Sequence, residues 1–229
     1  MSETAIAIAD ARLKAYTELL VRYNGSLNLL SAQGLRDIQR LLADGKGYAR
    51  VIEDLAGPSP TVVDVGSGAG FPGIVISAML PQARVILVER RRRRAAFLEL
   101  AVGSIGLENT TVFSGDVRRL QGVCAHVVTA QAVTTLSDLT GLTRHLHRDV
   151  CFLISRRGPG WRADLDAVEA ALDGGSRRSV VTAPLPDPTV AADAESNTAV
   201  AVVAEKDLDQ SGSLVALRLT GGPACRSSG

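Results

Sequence analysis

The chain has 229 residues, 46% hydrophobic and 21% charged, with a net charge of +1. That length supports one core-forming domain with an appendage, and the near-neutral charge confines any nucleic-acid surface to a local patch. An aromatic content of 3% argues against the stacked aromatic platforms of single-strand binders. Cys124, Cys151 and Cys225 form neither a disulfide framework nor a zinc pattern, which points to a reducing compartment. No basic leader runs into an apolar segment, and no stretch nears ~20 apolar residues. The expectation is a cytoplasmic, monomeric protein without a membrane span.

In chain order, Leu13, Tyr16, Leu19, Leu20, Tyr23 and Leu27 recur at helical spacing within residues 5–30. Ile38, Leu41, Leu42, Tyr48, Val51, Ile52 and Leu55 form a second helical pattern, stopped by Gly57-Pro58-Ser59-Pro60. These helices either cover the substrate side or simply pack onto the sheet. From residue 61 strands and helices alternate. Strands are expected at 61–65, 84–89, 110–114, 126–130, 150–155, 178–183 and 198–204, with helices near 73–80, 92–105, 137–147 and 162–172. Such alternation predicts an α/β fold with a mainly parallel seven-stranded sheet covered on both faces. The last two strands, joined by the loop 184–197, should pair antiparallel. The domain reading is an N-terminal helical extension (1–57), a cofactor domain (58–206) and a tail (207–229). That tail carries one apolar stretch, Leu214 to Leu219, and a poorly ordered end.

The segment Asp64-Val65-Gly66-Ser67-Gly68-Ala69-Gly70-Phe71-Pro72-Gly73 follows the first strand and opens a helix. Strand, glycine turn and helix start are the layout of a nucleotide-type cofactor loop. Gly68, Gly70 and Gly73 also fit the dinucleotide pattern G-x-G-x-x-G. Asp64 decides between the two: its carboxylate repels a pyrophosphate and attracts the ammonium and sulfonium of S-adenosyl-L-methionine. Ligands of such sheets lie beyond the carboxyl ends of the strands. Glu89, closing the second strand, is there either an acceptor for both ribose hydroxyls or a solvated strand-end carboxylate. Asp116, just past the third strand, either accepts from an adenine amino group or caps the following turn. Gln131 closes the fourth strand at the cleft mouth, either touching a ligand or satisfying backbone groups.

Arg90, Arg91, Arg92, Arg93 and Arg94 form an unbroken basic run at a helix start, where cations oppose the macrodipole. Beside the cofactor edge the run suits contact with a phosphate backbone, and Arg156 and Arg157 extend it; a solvated face is the alternative. His126, His145 and His147 have no spaced nucleophile partner. Thr129-Ala130-Gln131-Ala132 lacks the Asp/Asn-Pro-Pro-aromatic motif of exocyclic-amine methyltransferases. Cys124 and Cys151 read as small core residues and not as nucleophiles.

Together these motifs resemble the 16S ribosomal RNA guanine-N7 methyltransferases, the RsmG or GidB type. The Gly-Ser-Gly-Ala-Gly-Phe-Pro-Gly loop carries the resemblance. Tyr23-Asn24, Leu27-Asn28-Leu29, Phe97-Leu98 and Leu107-Glu108-Asn109 support it, over roughly residues 12–206. It implies a class I (Rossmann-like) methyltransferase fold, S-adenosyl-L-methionine as cofactor, and 16S rRNA or the small ribosomal subunit as partner. It places Gly66 and Phe71 on the cofactor, Glu89 on the ribose, and Val117 and Arg118 beside the adenine. Gln131 stands where the family has an arginine lining the active site. Position 118 is arginine where an acid is expected, and position 116 aspartate where an arginine is expected. Leu41-Leu42-Ala43-Asp44-Gly45-Lys46 keeps only the aspartate of the family's His-x-x-Asp-Ser-Leu, and Arg157 replaces a lysine. Guanine N7 offers a lone pair and no proton, so methyl transfer to it needs alignment more than a general base. Two alternatives stay open: a relative that methylates a small molecule, and a non-catalytic protein that binds the cofactor or RNA.

Overall fold

The computed structural model describes residues 2–131, 134–158, 168, 200–209 and 212–220. It divides into Met1–Leu120 and Gln121–Gly229. The first unit opens with helix α1 (Glu3–Leu27), whose first turn is capped by Ser2 accepting from the Ala5 N–H. The predicted apolar stripe of α1 buries Ala9, Leu13, Tyr16 and Leu20. Asn28 ends the helix in the left-handed region at φ 49°, and Asn24 fixes the exit. Its side chain accepts from the Leu30 N–H at 2.7 Å and donates to the Leu30 carbonyl at 3.2 Å. A short helix α2 (Ala32–Arg36), capped by Ser31, and helix α3 (Ile38–Ala56) follow.

Strands β1 (Thr61–Val65), β2 (Arg84–Glu89) and β3 (Thr110–Ser114) lie parallel in the order β3–β2–β1. Helices α4 (Gly73–Met79) and α5 (Arg92–Ser104) make the crossovers. Val62, Val63, Val85 and Leu87 are fully buried, the continuous apolar run of strands covered on both faces. The Leu107-Glu108-Asn109 segment has a structural role. The Asn109 amide donates to the carbonyls of Ser77 (3.3 Å), Leu80 (3.0 Å) and Ala83 (3.0 Å), while its oxygen accepts from Ser77 Oγ at 2.8 Å. It thereby satisfies carbonyls at the end of α4 that the helix leaves open.

The second unit contains strand β4 (Ala125–Gln131), helix α6 (Leu136–Thr143), a 3₁₀ turn (Arg144–Leu146) and strand β5 (His147–Arg157). Strands β6 (Val200–Asp209) and β7 (Gly212–Thr220) complete it. The order is β4–β5–β7–β6, with β4 and β5 parallel and β7 antiparallel to both its neighbours. The helix expected over 137–147 stops early because the chain tightens at Arg144 and enters β5 at His147. Gly212–Thr220, read from sequence as part of the tail, is a strand: its consecutive apolar residues Leu214, Val215, Ala216 and Leu217 are buried on both faces. The expected strand 178–183 and loop 184–197 lie outside the described residues, as does the helix 162–172 except for Val168, which is helical. Seven strands are thus present among the described residues, though the one at Gly212 was not among those expected. Cys151 is free and buried, whereas Cys124 is disulfide-bonded, which corrects the reading of unpaired thiols there. Among the described residues no helix is long and apolar enough to cross a membrane, and no cluster of metal-ligating side chains occurs.

His147 is 1% exposed and its Nε2 lies 2.9 Å from Thr143 Oγ1. Burial, with the nearby His145 and Arg144, pushes its pKa down to about 4 from 6.5. The folded protein therefore resists a proton that the unfolded chain accepts. The stabilisation is fully present above pH 6.5 and is lost as pH falls through about 4. Denaturant melts at pH 7.5 and 4.5 should show the wild type losing about 2–3 kcal/mol more than His147→Gln.

Candidate active site

The glycine loop leaves β1 by a tight reversal. Gly66, Gly68 and Gly70 have φ of 73°, 57° and 108°, the left-handed region that side chains disfavour. Gly66 N–H and Ser67 N–H both donate to the Val88 carbonyl, at 2.8 and 3.1 Å, and Gly70 N–H donates to the Ser67 carbonyl at 2.6 Å. A Cβ at Gly70 would fall 2.8 Å from the Tyr16 hydroxyl and 2.7 Å from Ile74. At Gly73 it would strike Leu87 and come within 2.7 Å of Asp64 Oδ2. Gly70 is therefore required by close packing as well as by the turn, and Gly73 by close packing. Asp64 is only 1% exposed, and its carboxylate lies beneath the loop against the start of α4.

Glu89 is the organising side chain. One carboxylate oxygen accepts from Gly68 N–H at 3.0 Å and the other from Arg91 N–H at 2.7 Å. A carboxylate has about four acceptor positions, so this one fixes the loop and the start of α5 and keeps capacity for a ribose diol. It is 5% exposed. Phe71 is also buried, at 6%, and its ring stands edge-on to Tyr16, with centroids 5.5 Å apart; the Phe71–Pro72 peptide is cis.

One site residue escaped sequence reasoning. Tyr16, in the middle of α1, donates its hydroxyl to the Ala69 carbonyl. Burial, reinforced by the Asp64 charge, raises its pKa, so it remains a donor. In sequence it was one apolar position in a helical stripe, with no signal of its own. Arg94, expected within the basic run, also makes a contact the sequence did not signal: Nη2 donates to the Asn28 carbonyl at 2.9 Å, and Nη1 lies 3.7 Å from where a Cβ on Gly68 would stand. It joins the end of α1 to the start of α5. The basic run is thus divided, with Arg90, Arg91, Arg92 and Arg93 exposed and Arg94 half-buried.

Of the two roles open to Asp116, the structure shows the cap. It accepts from Arg118 N–H at 3.0 Å, and Arg118 Nε and Nη2 reach its two oxygens at 2.9 and 2.6 Å. Those bonds hold its carboxyl well below the usual carboxylate range. Val117, between them, is 6% exposed. In the second unit, Gln131 ends β4 in register with Arg156 of β5. Arg157 donates Nη1 to the Thr134 carbonyl at 2.5 Å, so part of its donor capacity serves the backbone.

The family model described as rRNA small subunit methyltransferase G matches residues 9–174. This chain belongs to that family. Ribosomal RNA small subunit methyltransferase G of Neisseria meningitidis serogroup C (strain 053442) is 32% identical over 158 residues, 69% of this chain and 75% of the relative. The protein of the same name from Nitrosomonas europaea is 35% identical over 153 residues, 65% of this chain and 69% of the relative. Among solved structures, M. jannaschii TYW2 in complex with AdoMet aligns at a TM-score of 0.53 with 12% identity, over 79% of this chain and 75% of that one. Trm5b from Pyrococcus abyssi aligns at 0.56 with 13% identity, over 80% and 49%. These likenesses establish the expected methyltransferase fold. For this member of the rRNA small subunit methyltransferase G family, the loop and Glu89 fit S-adenosylmethionine, an adenosine carrying a cation.

Glu89→Gln replaces an acceptor by an NH₂ that faces either the Gly68 or the Arg91 N–H. Loss of a charged acceptor costs about 1.5–3 kcal/mol, so calorimetry should find S-adenosylmethionine bound roughly 10- to 100-fold more weakly.

Proposed function

We propose that this chain methylates guanine N7 of 16S rRNA, using S-adenosylmethionine. The observation that carries the reading is the Glu89 carboxylate, held by Gly68 and Arg91 with acceptor capacity to spare, in a chain of this family. The bound cofactor supplies an electrophilic methyl on a sulfonium. The chain's own part is to hold that methyl in line with the N7 lone pair, for which no proton need be removed. Gly66, Gly68, Gly70 and Phe71 shape the pocket, Glu89 holds the ribose, and Val117 and Arg118 flank the adenine. Asp64 acts from beneath the loop through its charge. No nucleophile is needed, in keeping with the buried Cys151 thiol, whose pKa burial pushes up to about 12.

The exposed guanidinium groups of Arg91, Arg92 and Arg93 take the RNA backbone, with Arg94 supporting the run; in the second unit, Arg157 of β5 supplies a further cation for RNA. Gln131 contributes an amide at the substrate side, and the adjacent Arg156 brings a cation one strand over. The partner is the small ribosomal subunit or its RNA, met in the cytoplasm by a monomer. The domain organisation follows: helical extension 1–57, catalytic domain 58–206 and the segment 207–229, which adds β7 to the sheet of the second unit.

Labelled S-adenosylmethionine incubated with small subunits lacking the modification should label a guanine at N7. Label on a small molecule only, or none, would overturn the reading. Changing Arg91, Arg92 and Arg93 together to Gln should weaken rRNA binding and reduce its salt slope by about 2, at roughly 0.7–0.9 per lost phosphate contact. Cofactor affinity should stay unchanged. Gln131→Arg, which adds a charge-assisted donor, should raise activity on those subunits or leave it unchanged. A fall would mean that the pocket has been reshaped for another substrate.

A further inference from the structure

The N-terminal helix reaches into the cofactor loop at one peptide plane. The Ala69–Gly70 peptide is tied at both ends: its carbonyl accepts the Tyr16 hydroxyl, and its N–H donates to the Ser67 carbonyl at 2.6 Å. In a trans peptide these two groups point in opposite directions, so two bonds suffice to fix the plane. Glycine at 70, with φ of 108°, leaves the adjoining backbone free to rotate were either bond absent. The space is filled as well as bonded. Gly70 has no room for a Cβ because the Tyr16 hydroxyl and Ile74 occupy it, and the Tyr16 ring supports Phe71 edge-on at 5.5 Å. Tyr16 is fully buried, and among the described residues its hydroxyl bonds only the Ala69 carbonyl.

We propose that Tyr16 is a positioning residue for the methyl donor: α1, through this hydroxyl, holds the loop in its binding shape before the donor arrives. The proposal rests on the glycine loop being the donor site. Without the bond the Ala69–Gly70 plane samples other orientations, and donor binding has to re-order it, which lowers affinity without changing the aligned complex. The effect therefore falls on donor binding and not on turnover. It also makes α1 part of the donor site and not merely a cover for the sheet.

Tyr16→Phe removes the hydroxyl and keeps the ring against Phe71. Calorimetry should show S-adenosylmethionine bound about tenfold more weakly, with KM for the donor raised to match. The kcat at saturating donor and the affinity for rRNA should stay within about twofold of wild type. Amide exchange at Gly70 should quicken in the free protein and return to the wild-type rate with donor bound. The control is Tyr23→Leu, which removes a ring contact between the same helix and Phe97 at 6.1 Å. It should lower Tm without altering donor affinity. Unchanged donor affinity in Tyr16→Phe, or an equal loss in Tyr23→Leu, would overturn the proposal. If the wild-type chain itself bound no donor, the reading of the loop would fall and the proposal with it. A wild type that binds beside a Tyr16→Phe that binds equally well sinks the positioning role alone.

Discussion

The carboxylate of Glu89 is the interaction on which the site depends. It ends β2, where the parallel sheet delivers side chains to the ligand edge, and its two oxygens are shared between two backbone amides from different segments. One amide belongs to the glycine loop and the other to the residue that opens α5. A single charge thus joins a loop and a helix that lie about twenty residues apart in sequence. It also places negative charge beside a helix start crowded with arginines, where cations alone would oppose the macrodipole. The order of the basic run and the acid before it is electrostatically consistent: Glu89 sits inside at 5% exposure, while Arg90 to Arg93 spread their charges into solvent.

Around that carboxylate the remaining contacts divide into those that shape the loop and those that face outward. Asp64, Tyr16, Phe71, Gly70 and Gly73 form a packed floor in which each member restricts the next. Asp64 limits position 73, Tyr16 limits position 70, and Phe71 closes on Tyr16. Arg94 ties the end of α1 to α5 beside Gly68. Floors of this kind keep backbone groups in place without the ligand, which is what methyl transfer by alignment requires.

The turn after β3 illustrates how a chain can depart from its family and keep local physics. The resemblance places an arginine at 116 and an acid at 118, and here the two are exchanged. The pair still closes on itself, with Arg118 Nη2 2.6 Å from Asp116 Oδ2, and the turn keeps its net charge. The order found here has its own logic, because aspartate caps a turn start well and arginine does not. The substitution at 131 is of another kind. It removes a cation from β4, and the strand register then sets Gln131 beside Arg156.

Sequence alone determined the parallel α/β order, because periodicity and glycine punctuation are local: β1, β2, β3, α4 and α5 start and stop within a residue or two of their expected bounds. It also determined the glycine loop, since a strand, a tight turn and a helix start in ten residues admit few folds. Glu89 was legible as a strand-end acid, but its grip on Gly68 and Arg91 was not. The role of Asp116 was legible only as a choice, and of the two the cap is the one its bonds with Arg118 display. Strand β7 was missed because a strand held between two antiparallel partners is defined by pairing across long separations, and a short apolar stretch in a polar setting does not announce it. Tyr16 as a site residue, and the tie of Arg94 to α1, were invisible for the same reason. An apolar position in a helix and one arginine among five acquire their roles only when α1 is laid against a loop more than fifty residues away, and that contact exists only in the folded chain.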